Sequence, residues 1–413
     1  MNAAEFDFAK LIWPIEPATF FRETWEKEPL IVSRNHFDYY TSLFSTRDVS
    51  QMIHFTRPRF AGMRSHSTPT EALRGVAPDQ EQLYAGRDDD LAELNREFAE
   101  GKTYLVHGLE KRWQPISRLC RTLEATFHHP VNAAMFLTPK GSQGFEAHYD
   151  AIEGFILQID GSKSWRIYKP EQRLPLAIAA APTLEGPLGE PLMEIELHAG
   201  DLLYLPRGYI HEAFTSECSS LHVTVAVAVL RWADLLGSAL TLVAAQDVRF
   251  REAVPVGFLN TSGAALQERL QELLHLLAAK ARANEAVDHL AEQFIGKLPA
   301  LPGGQFVPPE EIEQIDLDTV LEKAPGVISR VNMEKGSVSI QYPGNRIRGP
   351  RQIAPALRFI AAETRFAVRS LPDSLTSQSK LVLVRRLVRE GLLAIASRPL
   401  LQERTATPAE DIA

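Results

Sequence analysis

Two histidines and an aspartate in this sequence have the types and the spacing to bind one metal ion. His148 and Asp150 lie two residues apart in the segment Phe145-Glu-Ala-His-Tyr-Asp. On a β-strand, residues i and i+2 project to the same face, so this pair presents an imidazole and a carboxylate together. His211 follows a Gly200-Asp turn, a short strand and a Pro-Arg-Gly turn, and it is the best candidate for a third ligand. Two histidines and one carboxylate that leave positions open are typical of non-haem Fe(II) sites that react with O₂.

Zinc is the competing metal. Structural zinc sites are closed, tetrahedral and usually rich in cysteine, whereas this chain has only Cys120 and Cys218 and no C-x-x-C pair. A catalytic zinc ion also uses two histidines and a carboxylate, so the triad alone does not name the metal. An H-x-D pair on a solvent-exposed face is a third interpretation, which the matching segment around His211 makes much less favourable.

Lys163 is the next residue with a chemical interpretation. It follows Asp160-Gly161, which predicts a β-hairpin because glycine tolerates the positive φ of a tight turn. Inside a small barrel, a lysine on the returning strand can pair with the distal carboxylate of 2-oxoglutarate, whose other end chelates iron. A surface lysine beside a hairpin turn is the equally open alternative.

The elements that position these residues indicate three regions. Residues 100–232 contain short β-prone runs separated by Gly, Pro, Asp or Ser, which is typical of an antiparallel sandwich or barrel. Residues 233–300 predict a helical module for packing or dimerisation, because leucines recur at helical spacing over 264–281. After a Pro- and Gly-rich linker at 296–309, the order of helix and strand signals fits a small winged-helix module.

Composition is that of an ordinary soluble globular protein. The chain has 413 residues, of which 45% are hydrophobic and 23% charged, and this excludes a disordered chain. A formal charge of −8 argues against a general nucleic-acid-coating role. Residues 341–400 nevertheless carry ten Arg and one Lys against three acidic residues, a net of 11 − 3 = +8. Solvated helix faces or ion pairs are the favoured interpretation of that stretch, and nucleic-acid binding is the alternative.

Location is predicted from what the sequence lacks. The first twenty residues show no basic start followed by a long apolar run, and no stretch reaches the ~18 apolar residues of a membrane helix. Two cysteines cannot form a disulfide framework, which indicates a reducing compartment. We therefore expect a cytoplasmic protein without signal peptide or membrane segment.

Four motifs spread over most of the chain carry a resemblance to a known family. They are Phe20–Leu30 with the spacing F-x(4)-W-x-K-x-P, Thr138–Arg166 with H-Y-D and D-G-S-K-S-W, Gly200–Thr224 with G-D, L-P-R-G, His211 and H-V-T, and Val248–Pro255. In combination they resemble the JmjC-domain ribosomal oxygenases, Fe(II)- and 2-oxoglutarate-dependent protein hydroxylases of the cupin superfamily.

The resemblance implies an α+β fold with a double-stranded β-helix core, the jelly-roll or cupin fold of JmjC domains. It places the catalytic domain with an N-terminal α/β extension at 1–232, a helical dimerisation domain at 233–300 and a winged-helix-like domain at 301–413.

The resemblance also implies residue roles. His148, Asp150 and His211 would be the iron ligands and the catalytic centre. Lys163 would bind the distal carboxylate of 2-oxoglutarate, with Thr224 assisting or simply packing in its strand. His222, in the same motif, is more often a satisfied core histidine than a ligand.

The implied reaction is hydroxylation of an arginine or histidine side chain of a ribosomal protein. The enzyme, expected to be a homodimer, would use Fe(II) as its metal and consume 2-oxoglutarate and O₂. Succinate and CO₂ would be the coproducts. One departure stands out, because family members often have Asn-x-Tyr where this chain has Ala134 and Phe136. Two polar contacts to the cosubstrate are therefore missing, which predicts weaker or altered binding.

Two rival functions stay open at this point. The first is a cupin metalloenzyme that does not use 2-oxoglutarate, and replacement of Lys163 would distinguish it. The second is a non-catalytic protein that binds nucleic acid through the basic C-terminal module, and removal of residues 301–413 would abolish such binding.

Overall fold

A computed structural model describes residues 6–56, 61–63, 90–176, 188–300, 307–323 and 326–396 of the protein. The chain divides into two compact units, Met1–Leu290 and Ala291–Ala413. The three-domain boundaries at 232/233 and 300/301 stay a prediction. Residues 301–306 of the predicted linker lie outside the described residues.

The first unit contains the sheets that surround the predicted metal ligands. Its described strands are β1 Leu30–Val32, β2 Ala61–Met63, β3 Thr103–His107, β4 Val131–Thr138, β5 Glu153–Tyr168, β6 Met193–His198, β7 Leu202–Leu205, β8 Ile210–Phe214 and β9 Ser220–Val227. Its described helices are α1 Phe8–Ile12, α2 Pro17–Glu23, α3 Thr46–Thr56, α4 Asp90–Ala99, α5 Gln114–Phe127, α6 Trp232–Gln246 and α7 Gly263–Lys280, followed by α8 Ala283–Lys297 at the boundary of the units.

Strand β5 belongs to two antiparallel sheets. Its N-terminal half lies in the larger sheet, whose strand order is β1-β7-β5-β9-β4-β3-β2. Its C-terminal half pairs with β6 on one side and with β8 on the other. The expected antiparallel β domain is therefore present, and it is built as two sheets that share one long strand.

The larger sheet separates a hydrophobic core from a cavity. Successive side chains of a strand point to opposite faces. On β4, Val131, Ala133 and Met135 pack into the core with helix α5, whereas Ala134 and Phe136 line the cavity. The same alternation continues on β9 and β5, so one face of the sheet holds the unit together and the other face is free for chemistry.

The predicted hairpin at Asp160-Gly161 is wrong. β5 runs through this dipeptide as one strand, and its register against β9 shifts between Gln158 and Asp160. Gly161 has φ +66°, and a Cβ there would lie 1.8 Å from the carbonyl oxygen of Ser219. The glycine therefore permits a bulge, which turns the strand from one sheet to the other, instead of a chain reversal.

The second unit has its own hydrophobic core. Its described elements are helices α9 Pro309–Glu313, α10 Ala354–Ala362 and α11 Ser377–Arg389, and strands β10 Val320–Glu322, β11 Arg330–Met333, β12 Ser337–Tyr342, β13 Asn345–Pro350, β14 Arg365–Ala367 and β15 Ala394–Ile395. The strands form two three-stranded antiparallel sheets, in the orders β14-β10-β15 and β11-β12-β13. Buried residues of α10 and α11, including Leu357 and Val384, pack with Ile340 of β12. The helices predicted at 352–362 and 377–390 agree with α10 and α11 to within two residues.

No helix in the described ranges is both long enough and apolar enough to cross a lipid bilayer.

Candidate metal centre

The backbone brings the two predicted histidine ligands side by side. His148 lies in the segment before β5, and His211 lies in β8. The amide of each donates a hydrogen bond to the carbonyl oxygen of the other, at 3.1 Å for His148 and 2.7 Å for His211. Their ring centroids are 4.4 Å apart. This reciprocal antiparallel pair fixes the separation of the two imidazoles without help from a metal.

Hydrogen bonds to backbone carbonyls orient both imidazole rings. Nδ1 of His148 lies 2.7 Å from the carbonyl oxygen of Glu146, and Nδ1 of His211 lies 3.1 Å from that of Tyr209. A carbonyl only accepts, so each Nδ1 carries the hydrogen and leaves the Nε2 lone pair available. Metal-binding histidines are commonly held by such a hydrogen bond from the other ring nitrogen.

Asp150 completes a three-residue cluster. One carboxylate oxygen lies 3.8 Å from Nε2 of His211. The candidate ligand atoms of His148, Asp150 and His211 all lie within 4.8 Å of one another. Burial lowers the pKa of His211, and the neighbouring His148 lowers it further, so the neutral ring that a metal requires is favoured. The donor set and its geometry fit a divalent metal ion with open coordination positions.

A buried ionic network supports the turn that joins these ligands. Glu153 accepts hydrogen bonds from Tyr204 at 2.5 Å and from Arg207 at 2.7 Å. In the same turn, the amide of Gly208 donates to the carbonyl oxygen of Asp150 at 2.9 Å. Because Glu153 and Arg207 are buried, this network fixes the Pro-Arg-Gly turn before His211 in one conformation.

The three residues open onto a cavity of about 340 Å³. Its walls come from β3, β4, β9, both halves of β5 and β8, and most of its lining side chains are apolar or aromatic. Lys163 and Thr224 both line it, as do Ala134 and Phe136. All five residues that the sequence identified as site candidates therefore contribute to one cavity.

Lys163 lines the cavity and is buried, with 3% of its surface exposed. Its ammonium donates to the hydroxyl of Thr138 at 2.9 Å. In the described part of the chain it has no carboxylate partner, and burial lowers its pKa to about 7. A buried cation without a counter-ion is costly, which indicates that an anion belongs beside it. The alternative of a surface lysine is therefore wrong.

Three aromatic side chains form the wall beside Lys163. The ring of His222 is stacked on that of Phe136, with a centroid separation of 4.6 Å and an interplanar angle of 9°. Its centroid lies 5.5 Å from that of Trp165, in an edge-to-face arrangement. Nδ1 of His222 and Nε1 of Trp165 are both buried without a hydrogen-bond partner among the described residues. His222 is therefore buried and outside the metal cluster, as its sequence position indicated, although its Nδ1 is unpaired among the described residues.

Two residues of the cavity were missed by the sequence reasoning. Thr138 was quoted only as part of a motif, yet its hydroxyl is the acceptor for Lys163. Trp165 had no assigned role, although it lies two residues after Lys163 on the same strand. The i, i+2 rule that grouped His148 with Asp150 would have placed Trp165 on the same face as Lys163.

Comparison with known proteins identifies the family of this chain and several relatives. Residues 107–235 match a family model described as the JmjC domain. Ribosomal oxygenase 1 of Danio rerio is 30% identical over 318 residues, which cover 70% of this chain and 55% of the relative. Ribosomal oxygenase 1 of Homo sapiens is 32% identical over 70% of this chain and 47% of its own length. The chain belongs to the JmjC-domain ribosomal oxygenase family.

Within this family the chain spans about half the length of the curated relatives it matches. A further relative, named bifunctional lysine-specific demethylase and histidyl-hydroxylase NO66 of Branchiostoma floridae, is 33% identical over 71% of this chain and 47% of its own length.

Solved structures agree with the JmjC fold. The structure of ycfD from Escherichia coli superposes with a TM-score of 0.57 at 18% identity, covering 92% of this chain and 98% of that chain. A structure of the same protein, titled as a complex with cobalt and 2-oxoglutarate, superposes with a TM-score of 0.54 over 93% of this chain and 99% of that chain, again at 18% identity. At this level of identity the likeness shows a common JmjC cupin fold with mixed helix and sheet content.

Proposed function

We propose that the protein is an Fe(II)- and 2-oxoglutarate-dependent oxygenase that uses O₂ to hydroxylate a side chain of a ribosomal protein. The observation that carries this proposal is the pairing of two features in one cavity. A His-Asp-His cluster suited to a metal lines this cavity, and so does Lys163, a buried ammonium without a carboxylate partner among the described residues. A dicarboxylate that chelates a metal through one end satisfies both features.

His148, Asp150 and His211 would hold the iron. With 2-oxoglutarate, Fe(II) supplies the activation of O₂ and the oxidation of an unactivated C–H bond, with succinate and CO₂ as coproducts. Two imidazoles and one carboxylate would hold the metal and leave coordination positions open for the cosubstrate and O₂. The relatives named as ribosomal oxygenases and the Escherichia coli protein titled as a 2-oxoglutarate complex support this assignment.

The remaining residues of the cavity would bind the cosubstrate and keep water out. Lys163 would pair with the distal carboxylate of 2-oxoglutarate, while the hydroxyl of Thr138 holds its ammonium in place. Thr224, which lies opposite both Ala134 and Ile156 in the sheet, is placed to contact the same cosubstrate. The apolar lining keeps water away from the reacting centre, which limits oxidation of the protein itself.

The cavity lining favours histidine over arginine as the hydroxylated side chain. Asp150 is the one carboxylate among the lining residues of the described cavity, and it is already assigned to the metal. A guanidinium carries a permanent charge and five donors that require acceptors. A neutral imidazole needs fewer acceptors and packs against aromatic walls. One relative's name, histidyl-hydroxylase, points in the same direction.

We also propose that the protein is a homodimer that uses its helical segment at 233–300. Helix α6 exposes Trp232, Leu236 and Leu240 at i, i+4 and i+8, with exposed fractions of 81%, 62% and 44%. Helix α7 exposes Leu270 and Leu274. Apolar stripes of this kind are typical of surfaces that a partner covers.

The C-terminal region at 301–413 is proposed to be a winged-helix-like module that does not depend on nucleic acid. Its two main helices and small antiparallel sheets support the first part. Ion pairs of its basic residues with acidic neighbours support its independence from nucleic acid. Arg346, Arg348, Arg386 and Lys380 pair with Glu292, Glu334, Glu390 and Asp373, respectively.

A ribosomal substrate and two unpaired cysteines favour a cytoplasmic location.

Mass spectrometry of ribosomal proteins tests the proposed reaction. Ribosomes from cells that lack this protein are incubated with the iron-loaded protein, 2-oxoglutarate and O₂, and Asp150→Ala is the matched control. We expect one ribosomal protein to gain one oxygen atom on a histidine with the wild type only. Oxidation of an arginine would correct the substrate residue, and no oxidation of any ribosomal protein would contradict the proposal.

A further inference from the structure

The N-terminal motif Phe20–Leu30 lies against the turn that leads to His211, and the proposed function has not used it. The motif has the spacing F-x(4)-W-x-K-x-P. Strand β1, at the end of the motif, pairs antiparallel with β7, and β7 ends directly before the turn Pro206–Tyr209. Trp25 stacks on Tyr204 of β7, with a centroid separation of 6.1 Å and an interplanar angle of 17°. The motif is therefore packed on the segment that carries His211.

Glu26, within this motif, closes a ring of polar contacts with three residues of the β domain. Its amide donates a hydrogen bond to the hydroxyl of Tyr204 at 3.0 Å, and that hydroxyl donates to Glu153 at 2.5 Å. Nη1 of Arg207 lies 2.7 Å from the carboxylate of Glu153 and 2.6 Å from that of Glu26. One buried guanidinium nitrogen therefore bridges two carboxylates, and one of these belongs to the N-terminal motif.

The backbone of Glu26 is held in an uncommon conformation. Its φ is +59°, in the left-handed region that residues other than glycine, asparagine and aspartate rarely adopt. Such conformations persist where the surrounding structure holds them. Two contacts hold Glu26, one through its amide and one through its carboxylate. The structure therefore fixes this carboxylate in one place beside Arg207.

A second contact joins the motif to the same turn. The hydroxyl of Tyr209 donates to the carbonyl oxygen of Lys27 at 2.9 Å. The carbonyl oxygen of Tyr209 lies 3.1 Å from Nδ1 of His211, and the amide of Gly208 donates to the carbonyl oxygen of Asp150 at 2.9 Å. The turn therefore contacts two of the three residues of the His-Asp-His cluster, and the motif holds the turn at two points.

We propose that Glu26 is a positioning residue for the metal centre and acts through Arg207. Together with the carbonyl group of Lys27, it fixes the turn that orients His211. The inference rests on the proposed function, because it assigns a role at the same metal site. Without Glu26 the guanidinium still has Glu153, so its loss loosens the turn without leaving a buried charge unpaired.

Cobalt binding tests this role without turnover. The full chain is loaded with Co(II) in the absence of O₂ and 2-oxoglutarate, and the visible absorption spectrum of the bound ion and its dissociation constant are measured. The variants are Glu26→Ala, which removes the carboxylate, and Glu26→Gln, which keeps a neutral acceptor oxygen. Tyr209→Phe removes the bond to Lys27 and keeps the backbone carbonyl. Glu23→Ala is the control, because the ion pair of Glu23 with Arg22 is exposed.

Removal of a hydrogen-bond partner behind a metal ligand commonly costs about tenfold to a hundredfold in metal affinity. Glu26 acts through one further residue, so we expect the lower limit, about tenfold weaker Co(II) binding by Glu26→Ala, together with a changed visible spectrum. Glu26→Gln should show a smaller change, and Tyr209→Phe should change both quantities in the same direction. Glu23→Ala should match wild type, because an exposed ion pair contributes little.

Thermal unfolding of the same preparations separates positioning from folding. If Glu26→Ala unfolds at a lower temperature but its folded form keeps the wild-type Co(II) spectrum and affinity, Glu26 serves the fold alone and the inference is overturned. Unchanged stability with an unchanged spectrum and affinity overturns it as well. If wild type itself binds no Co(II), the proposed function fails instead.

Glu26→Gln and Tyr209→Phe keep the test valid if Glu26→Ala does not fold. Both substitutions retain nearly the size and shape of the side chain that they replace. A changed Co(II) spectrum and weaker binding in both variants would support the proposal. Wild-type spectra and affinities in both would overturn it.

Discussion

Two parts of the cavity, the His-Asp-His cluster and the surroundings of Lys163, differ in how completely their polar groups are satisfied. In the cluster, His148 and His211 are tied to each other by backbone hydrogen bonds, and each Nδ1 has a carbonyl acceptor. The ammonium of Lys163, by contrast, has one neutral partner, the hydroxyl of Thr138, and no carboxylate partner among the described residues. The metal ligands are held in place before any ligand arrives, whereas the buried ammonium is balanced only when an anion binds.

This difference has a physical reason. A metal site must hold ligands of fixed number and geometry, and the hydrogen bonds of both imidazoles to the backbone fix the rings on folding, so that this side-chain entropy is not lost again when the metal binds. A binding site for an anion gains affinity when its donor, here the ammonium of Lys163, has no charged partner in the free protein. The free protein carries the desolvation of that ammonium as lost stability, and the cosubstrate recovers it on binding.

Removal of Asp150 breaks the His-Asp-His cluster and has the largest expected effect. In Asp150→Ala the two imidazoles remain but the one negative ligand is lost, so Fe(II) binding and succinate formation should fall to background. Asp150→Asn is the control for shape, and it should fall as far because the amide is neutral. Iron content after anaerobic reconstitution and desalting checks this, and iron retained at wild-type level in Asp150→Ala would contradict the assignment.

Replacement of Lys163 sharpens the comparison, because its two effects have opposite signs. Lys163→Met removes the charge-assisted bond to the carboxylate, and we expect the dissociation constant of 2-oxoglutarate to rise about tenfold to a hundredfold. The same change removes an uncompensated buried ammonium, so the free energy of unfolding of the ligand-free protein should rise by about 1–3 kcal/mol.

Calorimetry and urea unfolding of the same Lys163→Met preparation check both signs. A loss of stability together with unchanged 2-oxoglutarate binding would mean that Lys163 serves packing alone.

The pH dependence of binding follows from the same lysine. Burial lowers the pKa of Lys163 to about 7 in the free protein, and a bound carboxylate raises it. Affinity for 2-oxoglutarate is therefore full below about pH 7 and falls by up to about tenfold per pH unit above it, with uptake of a proton. Lys163→Arg, which stays charged, should bind with little pH dependence. Dissociation constants between about pH 6.5 and pH 8.5 check this, and an equal slope in both proteins would assign the effect to another group.

Thr138 carries the smallest predicted effect. Thr138→Val removes the one hydrogen bond that positions the ammonium of Lys163, but the charge remains. We expect 2-oxoglutarate affinity to fall by about threefold to tenfold, in line with about 1 kcal/mol for such a bond. Thr138→Ser retains the hydroxyl and should stay close to wild type. If Thr138→Val binds as tightly as wild type, the ammonium does not need this partner.

The cavity shows which parts of the site could be predicted from the sequence. The spacing of His148 and Asp150 encodes a shared face, so the cluster in the structure follows from strand geometry. Lys163 was identified, but on the wrong local structure, because Asp-Gly marks a bulge as well as a hairpin and only the opposing Ser219 backbone decides between them. Strand β8 was not predicted as a strand, since it is short and carries polar side chains.

Contacts between residues that are far apart in the sequence could not be predicted. The bond from Lys163 to Thr138, the stack of His222 on Phe136 and the orphaned nitrogen of Trp165 all depend on the register of β4, β5 and β9. A one-residue slip in any of these strands would turn the side chains to the other face. Register is set by the packing of the whole sheet, so no local pattern reveals these contacts.

Succinate formation tests the central claim most directly. The protein is purified without O₂ and reconstituted with Fe(II), since copper, nickel or zinc would otherwise compete for the same ligands. Succinate produced from 2-oxoglutarate on addition of O₂ is then compared between wild type and His148→Ala. We predict slow succinate formation by wild type, even without a protein substrate, and none by His148→Ala. Equal succinate from both proteins, or none from wild type together with no binding of 2-oxoglutarate, would contradict the proposed function.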